Sequence, residues 1–319
     1  MIADKCGPES DGSQRLRRPF TAVGLTWHPT MSAVSELAMS IASYHHADFP
    51  LAKLCALKRG RSISVCIPAR DEEATVGPIV ETVRRELVEG AELVNELIVA
   101  DDGSRDATAA VASEAGARVL PVMKLDSWRY VDAVEGAHGT SEQRSAALSG
   151  VAGKGEAMRC ALAASTGEIV VFLDADVQNF GVHFVTGLLG PILGGPRTML
   201  VKGCYRRPIG EGPTGGGRVT ELVARPVLSL LFPELSGVVQ PLAGEVAVRR
   251  EALKGIELAG GYGVELGMLI DIWRRYGTGS ISQVDLDVRT HRNRPLHELA
   301  PQAREVLDVA LRRAGVGPG

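Results

Sequence analysis

Nowhere in the 319 residues is there the run of about 18 apolar side chains that a membrane span needs, and the N-terminal MIADKCGPESDGSQRLRRPF lacks the apolar core of a secretory signal. These absences predict a soluble, cytoplasmic chain. Cysteine is sparse. The five residues, Cys6, Cys55, Cys66, Cys160 and Cys204, are odd in number and have no CxxC spacing, which excludes a disulfide framework and a cysteine zinc cluster and predicts reduced thiols. Positive charge is not in surplus either: at a formal net charge of -3 the chain offers no broad cationic face to a nucleic-acid backbone. Also missing are G-x-x-x-x-G-K-[ST] and a strand-following G-x-G-x-x-G, so neither a P-loop nor a dinucleotide fingerprint is present.

What is present is an apolar fraction of 45%, enough to bury a large core, arranged as strands alternating with helices. Residues 1–60 read as an N-terminal arm with one amphipathic helix near 35–44, and His45-His46 within it as a solvated pair. From Ser62 the pattern becomes regular. Ile63, Val65 and Ile67 form a strand, with Pro68 and acidic residues after it and a helix over 75–87. A second strand, Glu96 to Ala100, leads into Asp101-Asp102-Gly103-Ser104 and a helix over 107–115. A third helix, 156–165, precedes the apolar run Ile169 to Leu173. This alternation implies parallel βαβ units and an α/β, Rossmann-like, doubly wound and mostly parallel sheet, in which ligands bind beyond the carboxyl ends of the strands. The 124–153 segment is weakly patterned and reads as an insertion or flap. Further strands are expected over 199–205, 245–248 and 282–288, with helices over 218–231 and 264–275 and a polar tail after Ala314.

Asp71-Glu72, Asp101-Asp102 and Asp174-Ala175-Asp176 all fall just past strand ends, so three acidic loops are predicted to share one rim. If the chain stays extended, Asp174 and Asp176 point to one side, where like charges must share a proton, find basic partners or hold a hard cation such as Mg²⁺ or Mn²⁺. Spacing alone is weak. About one D-x-D is expected by chance in a chain this long, and Asp285-Leu286-Asp287 supplies a second one inside a strand.

Other candidates surround this pair. Lys154, between two glycines at a helix start, either reaches a phosphate or is a surface lysine in a turn. Gly217, Arg218 and Thr220 open a helix and suit an anion pocket, or form a flexible loop. Glu265 enters a strongly apolar helix as either a first-turn dipole partner or a poised catalytic group. Arg289 to Pro295 gathers three arginines, with His291 as a candidate metal ligand and Asn293 as a donor to a polar substrate group.

Taken together, PARDEE, DDGS, GKGEA, FLDAD, GGGRVTELVARP, QPLAGEVAVRRE, GYGVELGMLID and VRTHRNRP resemble the actinobacterial glucosyl-3-phosphoglycerate synthases, retaining glycosyltransferases of GT-A fold, from about Ser62 to Leu311. The resemblance implies a UDP-glucose donor, 3-phosphoglycerate as acceptor, a Mg²⁺ or Mn²⁺ cofactor and a homodimer. It assigns residues 61–198 to the nucleotide sugar and 199–319 to acceptor binding and dimerisation. By residue it implies a nucleoside loop of Pro68, Ala69, Arg70 and Glu72, contacts from Asp102, Lys154 and Asp174, and metal ligation by Asp176 and His291. Gly217, Arg218, Thr220 and Asn293 match the acceptor pocket, and Glu265 the acidic group near the transferred sugar. Arg70-Asp71 and Asp102 depart from the family's apolar-Asn pair and serine, so GDP-mannose is the nearest rival donor. A sugar-phosphate nucleotidyltransferase would put a glycine-and-lysine loop after the first strand, where this chain is acidic. A two-carboxylate glycosidase needs its acids on opposite sides of a sugar, roughly 5–9.5 Å apart, which adjacent same-side aspartates serve badly. A non-catalytic nucleotide-sugar binder would bind UDP and Mn²⁺ without transfer.

Overall fold

The computed structural model describes residues 41–122, 153–209, 212–215, 217–290 and 296–316. The expected 124–153 flap falls almost wholly outside them, as do His291 and Asn293. In chain order the principal elements are β1 (Ala42–His45), α1 (Leu51–Lys58), β2 (Ile63–Ala69), α2 (Glu73–Val83), β3 (Glu96–Asp101), α3 (Thr108–Glu114), β4 (Arg118–Pro121), α4 (Lys154–Ala164), β5 (Ile169–Phe172) and α5 (His183–Gly194). There follow β6 (Leu200–Arg206), a small ribbon of β7 (Pro208–Ile209) and β8 (Gly212–Gly215), α6 (Arg225–Leu231), β9 (Val246–Arg249), α7 (Arg250–Leu253), α8 (Val264–Tyr276), β10 (Ile281–Val288) and α9 (Leu296–Ala314).

Eight strands form one sheet in the order β1-β10-β6-β9-β5-β2-β3-β4. All neighbours are parallel except β9, which runs antiparallel between β5 and β6. Strand alternation explains its two-sided burial. Ile63, Val65, Ile67 and Ala69 of β2 join one apolar layer with α2 and α5, while Cys66 joins the other, with α4 and α8. Every residue of β5 is buried, as a central strand covered on both faces requires. The strand order reverses around β2: β3 and β4 lie on one side, β5 on the other. Ligand crevices of doubly wound sheets open at such a reversal, and the ends of β2 and β5 carry Pro68–Glu72 and Asp174–Asp176.

Three expectations change. The stretch counted with an N-terminal arm contributes β1 and α1 to the main fold from residue 42 onward, and the described end of the expected 35–44 helix is the edge strand Ala42–His45. Ala42 to His45 pair in register with Ser282 to Asp285 of β10, so sheet hydrogen bonding overrides the helical pattern. The sheet also runs unbroken across the 198/199 division, because β9, from the second half, is hydrogen-bonded to β5 of the first. And a 19-residue amphipathic helix, α9, absent from the expected helices and with Val306, Val309 and Ala310 buried, precedes the tail expected after Ala314. Among the described residues no helix is long and apolar enough to cross a membrane, and Cys55, Cys66, Cys160 and Cys204 are free thiols.

Candidate active site

A cavity of about 520 Å³ opens at the carboxyl ends of the strands. Its walls bring together Pro68, Ala69, Arg70, Glu72, Asp102, Lys154, Asp174, Asp176, Gly217, Arg218, Thr220 and Glu265, all twelve of the candidate residues that lie within the described chain. The three acidic loops do share one rim, each through part of its carboxylates. Asp71, with a left-handed φ of 53°, is turned aside and accepts from Arg105 N at 2.7 Å, which leaves Glu72 facing the cleft. Asp101 is engaged by Ser104, whereas the buried Asp102 accepts from Gly153 N at 2.9 Å and so ties the second loop to the start of α4.

Asp174 and Asp176 converge, though not by staying extended: the chain turns at Ala175-Asp176. Convergence comes from Arg289, whose Nη2 lies 2.8 Å from Asp174 Oδ2 and 2.5 Å from Asp176 Oδ1. Gly244 permits the packing, since a Cβ there would lie 2.0 Å from Asp174 Oδ1. Lys154 Nζ bridges Asp174 Oδ1 at 2.6 Å and Glu265 Oε1 at 2.5 Å, so this lysine is neither a solvated turn residue nor directed at a phosphate alone. The aspartate pair has thus found basic partners, one of the outcomes its repulsion demands.

The sequence reading missed the layer beneath. Arg289, only 3% exposed, also reaches Glu245 Oε1 at 3.1 Å, and Tyr205 Oη donates to Glu245 Oε2 at 2.6 Å. Arg207 Nη2 donates to Tyr205 Oη at 2.7 Å, and the Arg207 and Arg289 guanidiniums lie 4.8 and 5.3 Å from the Tyr205 ring centroid. Lys202, fully buried, donates to Ala243 O at 2.5 Å. A signal for these residues was available: Lys202 in Leu-Val-Lys-Gly-Cys-Tyr and Glu245 in Ala-Gly-Glu-Val-Ala-Val are charges inside apolar strand runs, where they must be paired.

Burial and pairing set the charge states. Burial opposes ionisation of Asp174, but Lys154 and Arg289 outweigh it and hold the carboxyl well below the usual range. Burial likewise opposes the Lys154 ammonium, and Asp174 with Glu265 more than offsets it, raising its pKa. Glu245 is pushed up by burial, against the pull of Arg289. Lys202, without so close a carboxylate, is pushed down to about 8, chiefly by burial. The cleft is therefore an anionic ledge on a cationic floor, able to orient hydroxyls and to take a hard cation.

Another wall of the cavity is cationic, carrying Arg207 and Arg218. Gly217, at φ 78°, turns the chain into Arg218, Val219 and a π-helical turn (Thr220–Ala224) that continues as α6. Such a turn displaces side chains from regular helical positions and is frequent at functional sites. Here it aligns Arg218 and Thr220 along the cavity, with Arg207 alongside. Residues of α9, among them Gln302 and Glu305, complete the rim.

For a divalent cation, the donor chemistry of the ledge fits. Asp176 is a hard carboxylate with its side chain 29% exposed; Oδ1 accepts from Arg289, and among the described residues Oδ2 accepts no hydrogen bond. The chain leading to His291 is held against this loop: Gln178 N donates to Thr290 O at 2.9 Å and Thr290 N to Asn179 Oδ1 at 2.8 Å.

Comparison with known proteins places these features in context. The sequence model of Glycosyl transferase family 2 matches residues 64–149. A glucosyl-3-phosphoglycerate synthase of Mycolicibacterium paratuberculosis is 46% identical over 281 residues, 86% of this chain and 79% of its own. Among solved structures, glucosyl-3-phosphoglycerate synthase from Mycobacterium tuberculosis in complex with Mn²⁺, UDP-glucose and phosphoglyceric acid superposes with a TM-score of 0.74 at 42% identity, covering 88% of this chain and 89% of that one. The same enzyme with Mg²⁺ and UDP gives a TM-score of 0.73 at 43% identity, with 88% of both chains covered.

Proposed function

The chain belongs to the glucosyl-3-phosphoglycerate synthases, α/β enzymes of GT-A type, and from that premise we propose how its cleft transfers glucose from UDP-glucose to 3-phosphoglycerate with Mg²⁺ or Mn²⁺ as cofactor. The observation that carries the reading is the meeting, in one cavity, of the Asp174/Asp176 ledge with the Arg207–Arg218–Thr220 wall. Donor and acceptor are both anionic, and each side of the cleft answers one of them.

Residues 61–198 supply most of the donor side, joined by Arg289 and His291 from the second half. Glu72 and Asp102 accept hydrogen bonds from ribose hydroxyls or the uracil N–H, with Pro68, Ala69 and Arg70 shaping the loop beneath the base. Asp176 and His291 would hold the cation, which would offset the negative charge gathering on the departing UDP. Arg289 fixes the two aspartates relative to each other, so little reorganisation accompanies that charge development. Lys154 and Asp174 present paired charge to the sugar and diphosphate.

Residues 199–319 supply the acceptor side. Arg218 and Thr220 bind the phosphate or carboxylate of phosphoglycerate at the helix start, with Gly217 and Asn293 completing the pocket. Held so, the acceptor's one free hydroxyl faces the anomeric carbon; the new C–O bond forms as the bond to the β-phosphate breaks, and the hydroxyl proton leaves with UDP or bulk water. Glu265, buried beside Lys154, positions the glucose hydroxyls or steadies positive charge at the anomeric carbon. Retention of configuration, a homodimer and a cytoplasmic location complete the proposal on the strength of the family.

Purified protein incubated with 3-phosphoglycerate and UDP- or GDP-linked glucose or mannose, with and without Mg²⁺ or Mn²⁺, tests it. Metal-dependent formation of glucosyl-3-phosphoglycerate from UDP-glucose is expected; turnover with GDP-mannose alone would overturn the donor assignment. Arg218→Ala is expected to raise the KM for 3-phosphoglycerate about tenfold or more while leaving that for UDP-glucose within about twofold. Equal losses for both substrates would remove Arg218 from the acceptor pocket.

A further inference from the structure

Outside the cleft, at the edge of the sheet, a second group of metal-ligating side chains is assembled from the two ends of the described chain. His45 ends β1 and His46 begins the short 3₁₀ turn after it. Their Nε2 atoms lie 3.4 and 2.6 Å from Oδ1 and Oδ2 of Asp287, a residue 241 positions away from His46 on β10. One ligand atom from each residue falls within 4.8 Å of the others. Bonds of about 2.0–2.1 Å to a tetrahedral ion put ligand atoms roughly 3.3 Å apart, so a small rotation of these side chains closes the set around one cation.

The backbone favours this gathering. A register irregularity between Asp285 and Val288 interrupts the β10–β6 ladder, and within it Asp287 adopts a left-handed φ of 67°. Uncommon for a side chain other than glycine, that conformation is tolerated by aspartate and cannot continue the strand's regular alternation. Asp287 N donates to Asp285 Oδ1 at 2.9 Å, which fixes the bulge. On the imidazole side, the rings of His45 and His46 lie 4.5 Å apart, and His183 packs 4.8 Å from His46.

We propose that His45, His46 and Asp287 form a surface site for a borderline transition-metal ion such as Zn²⁺, Ni²⁺ or Co²⁺, which ties the edge strand β1 to β10. Two imidazole nitrogens and one carboxylate select such ions over Mg²⁺, which prefers an all-oxygen set. The remaining positions are open to water because His45 and Asp287 are about half exposed. Side-chain exposure is 44% and 47% for these two, against 20% for His46. The site is separate from the cleft, whose lining includes none of the three residues.

The test uses the full, tag-free chain carrying Asp176→Asn, which weakens the cleft as a competing metal site. Titration with Zn²⁺ followed by calorimetry, and with Co²⁺ by visible absorption, is expected to give one ion per chain at this site and a d–d band typical of low coordination number. Adding His46→Ala or Asp287→Asn is expected to lower affinity about tenfold or more, and His45→Gln, at a half-exposed position and with a side-chain acceptor kept for Ala47 N, to do the same. His297→Ala, at an exposed position on α9, is the control and is expected to change nothing. Absence of Zn²⁺ and Co²⁺ binding, or affinities unchanged in the His45, His46 and Asp287 variants, would reduce the cluster to a histidine–aspartate ion pair and overturn the proposal. Because the readout is binding of the metal alone, its failure leaves the glucosyl-transfer reading untouched.

Discussion

The chain contains two D-x-D motifs, and their surroundings differ in almost every respect. Asp174 and Asp176 lie beyond a central strand, at a reversal of strand order, over buried Arg289, Lys154 and Glu245. Asp285 and Asp287 lie within β10 near the sheet edge, flanked by imidazoles, with Arg206 Nη2 a distant 4.0 Å away. Identical spacing therefore carries no function by itself. In the cleft, permanent cations fix two carboxylates that are mostly removed from water; at the edge, titratable ligands meet a half-exposed one.

The sharpest way to break that comparison is to neutralise one member of each motif. Asp176→Asn is expected to lower turnover about a hundredfold or more, because it removes the hard oxygen ligand beside the departing diphosphate. Asp285→Asn keeps an acceptor for Asp287 N on an exposed side chain, and turnover is expected to stay within about twofold. Steady-state rates with UDP-glucose and 3-phosphoglycerate decide it; similar losses in both variants would show that the motifs are not distinguished by their settings.

Much of this contrast was legible in the residues. The run Ile169–Leu173 announced a central strand, the alternation announced a parallel sheet, and together they placed three acidic loops on one rim. Position after a buried strand separates Asp174/Asp176 from Asp285/Asp287 in the sequence itself. Three features were not legible. The antiparallel β9 reads like any short apolar strand, since pairing direction is set by distant neighbours. The His45–His46 pair meets Asp287 only through the β1–β10 register, so nothing local marks its partner. The partners within the cationic floor were not legible either: Lys202 and Glu245 stand out as charges inside apolar runs, but only the sheet order makes them neighbours of Tyr205 and Arg289.

Arg289 is where the comparison can be sharpened next. Arg289→Met would leave Glu245 and Asp174 without their guanidinium while roughly keeping volume. Removing one partner of a buried ion pair typically costs about 3–5 kcal/mol, and urea unfolding of the free enzyme is expected to show a loss of that order. Turnover is expected to fall as well, since Asp174 and Asp176 lose their common anchor. The edge motif offers the counterpart: Arg206→Met, where exposed side chains face each other across 4.0 Å, is expected to change stability by less than about 0.5 kcal/mol. Comparable losses in the two variants would mean that burial of the cleft network contributes nothing special.

A pH-dependent effect concerns Lys202, the buried cation of the floor that touches neither aspartate. Burial lowers its pKa from 10.5 to about 8. Between those values the unfolded chain binds more protons than the folded one at this site, so its contribution to stability rises as pH rises from about 8 to 10.5 and is flat above and below. At about 1.4 kcal/mol per pKa unit, the full swing is roughly 3 kcal/mol for so completely buried a group. Other side chains titrate in the same window, so the informative quantity is the difference between wild type and Lys202→Met. That difference is expected to shift toward wild type across pH 8–10.5 and to stay constant from pH 6 to 7.5, as read by urea midpoints at each pH. A constant difference throughout would mean that Lys202 keeps an ordinary ammonium, and that the carboxylates above it compensate burial as fully as they do for Lys154.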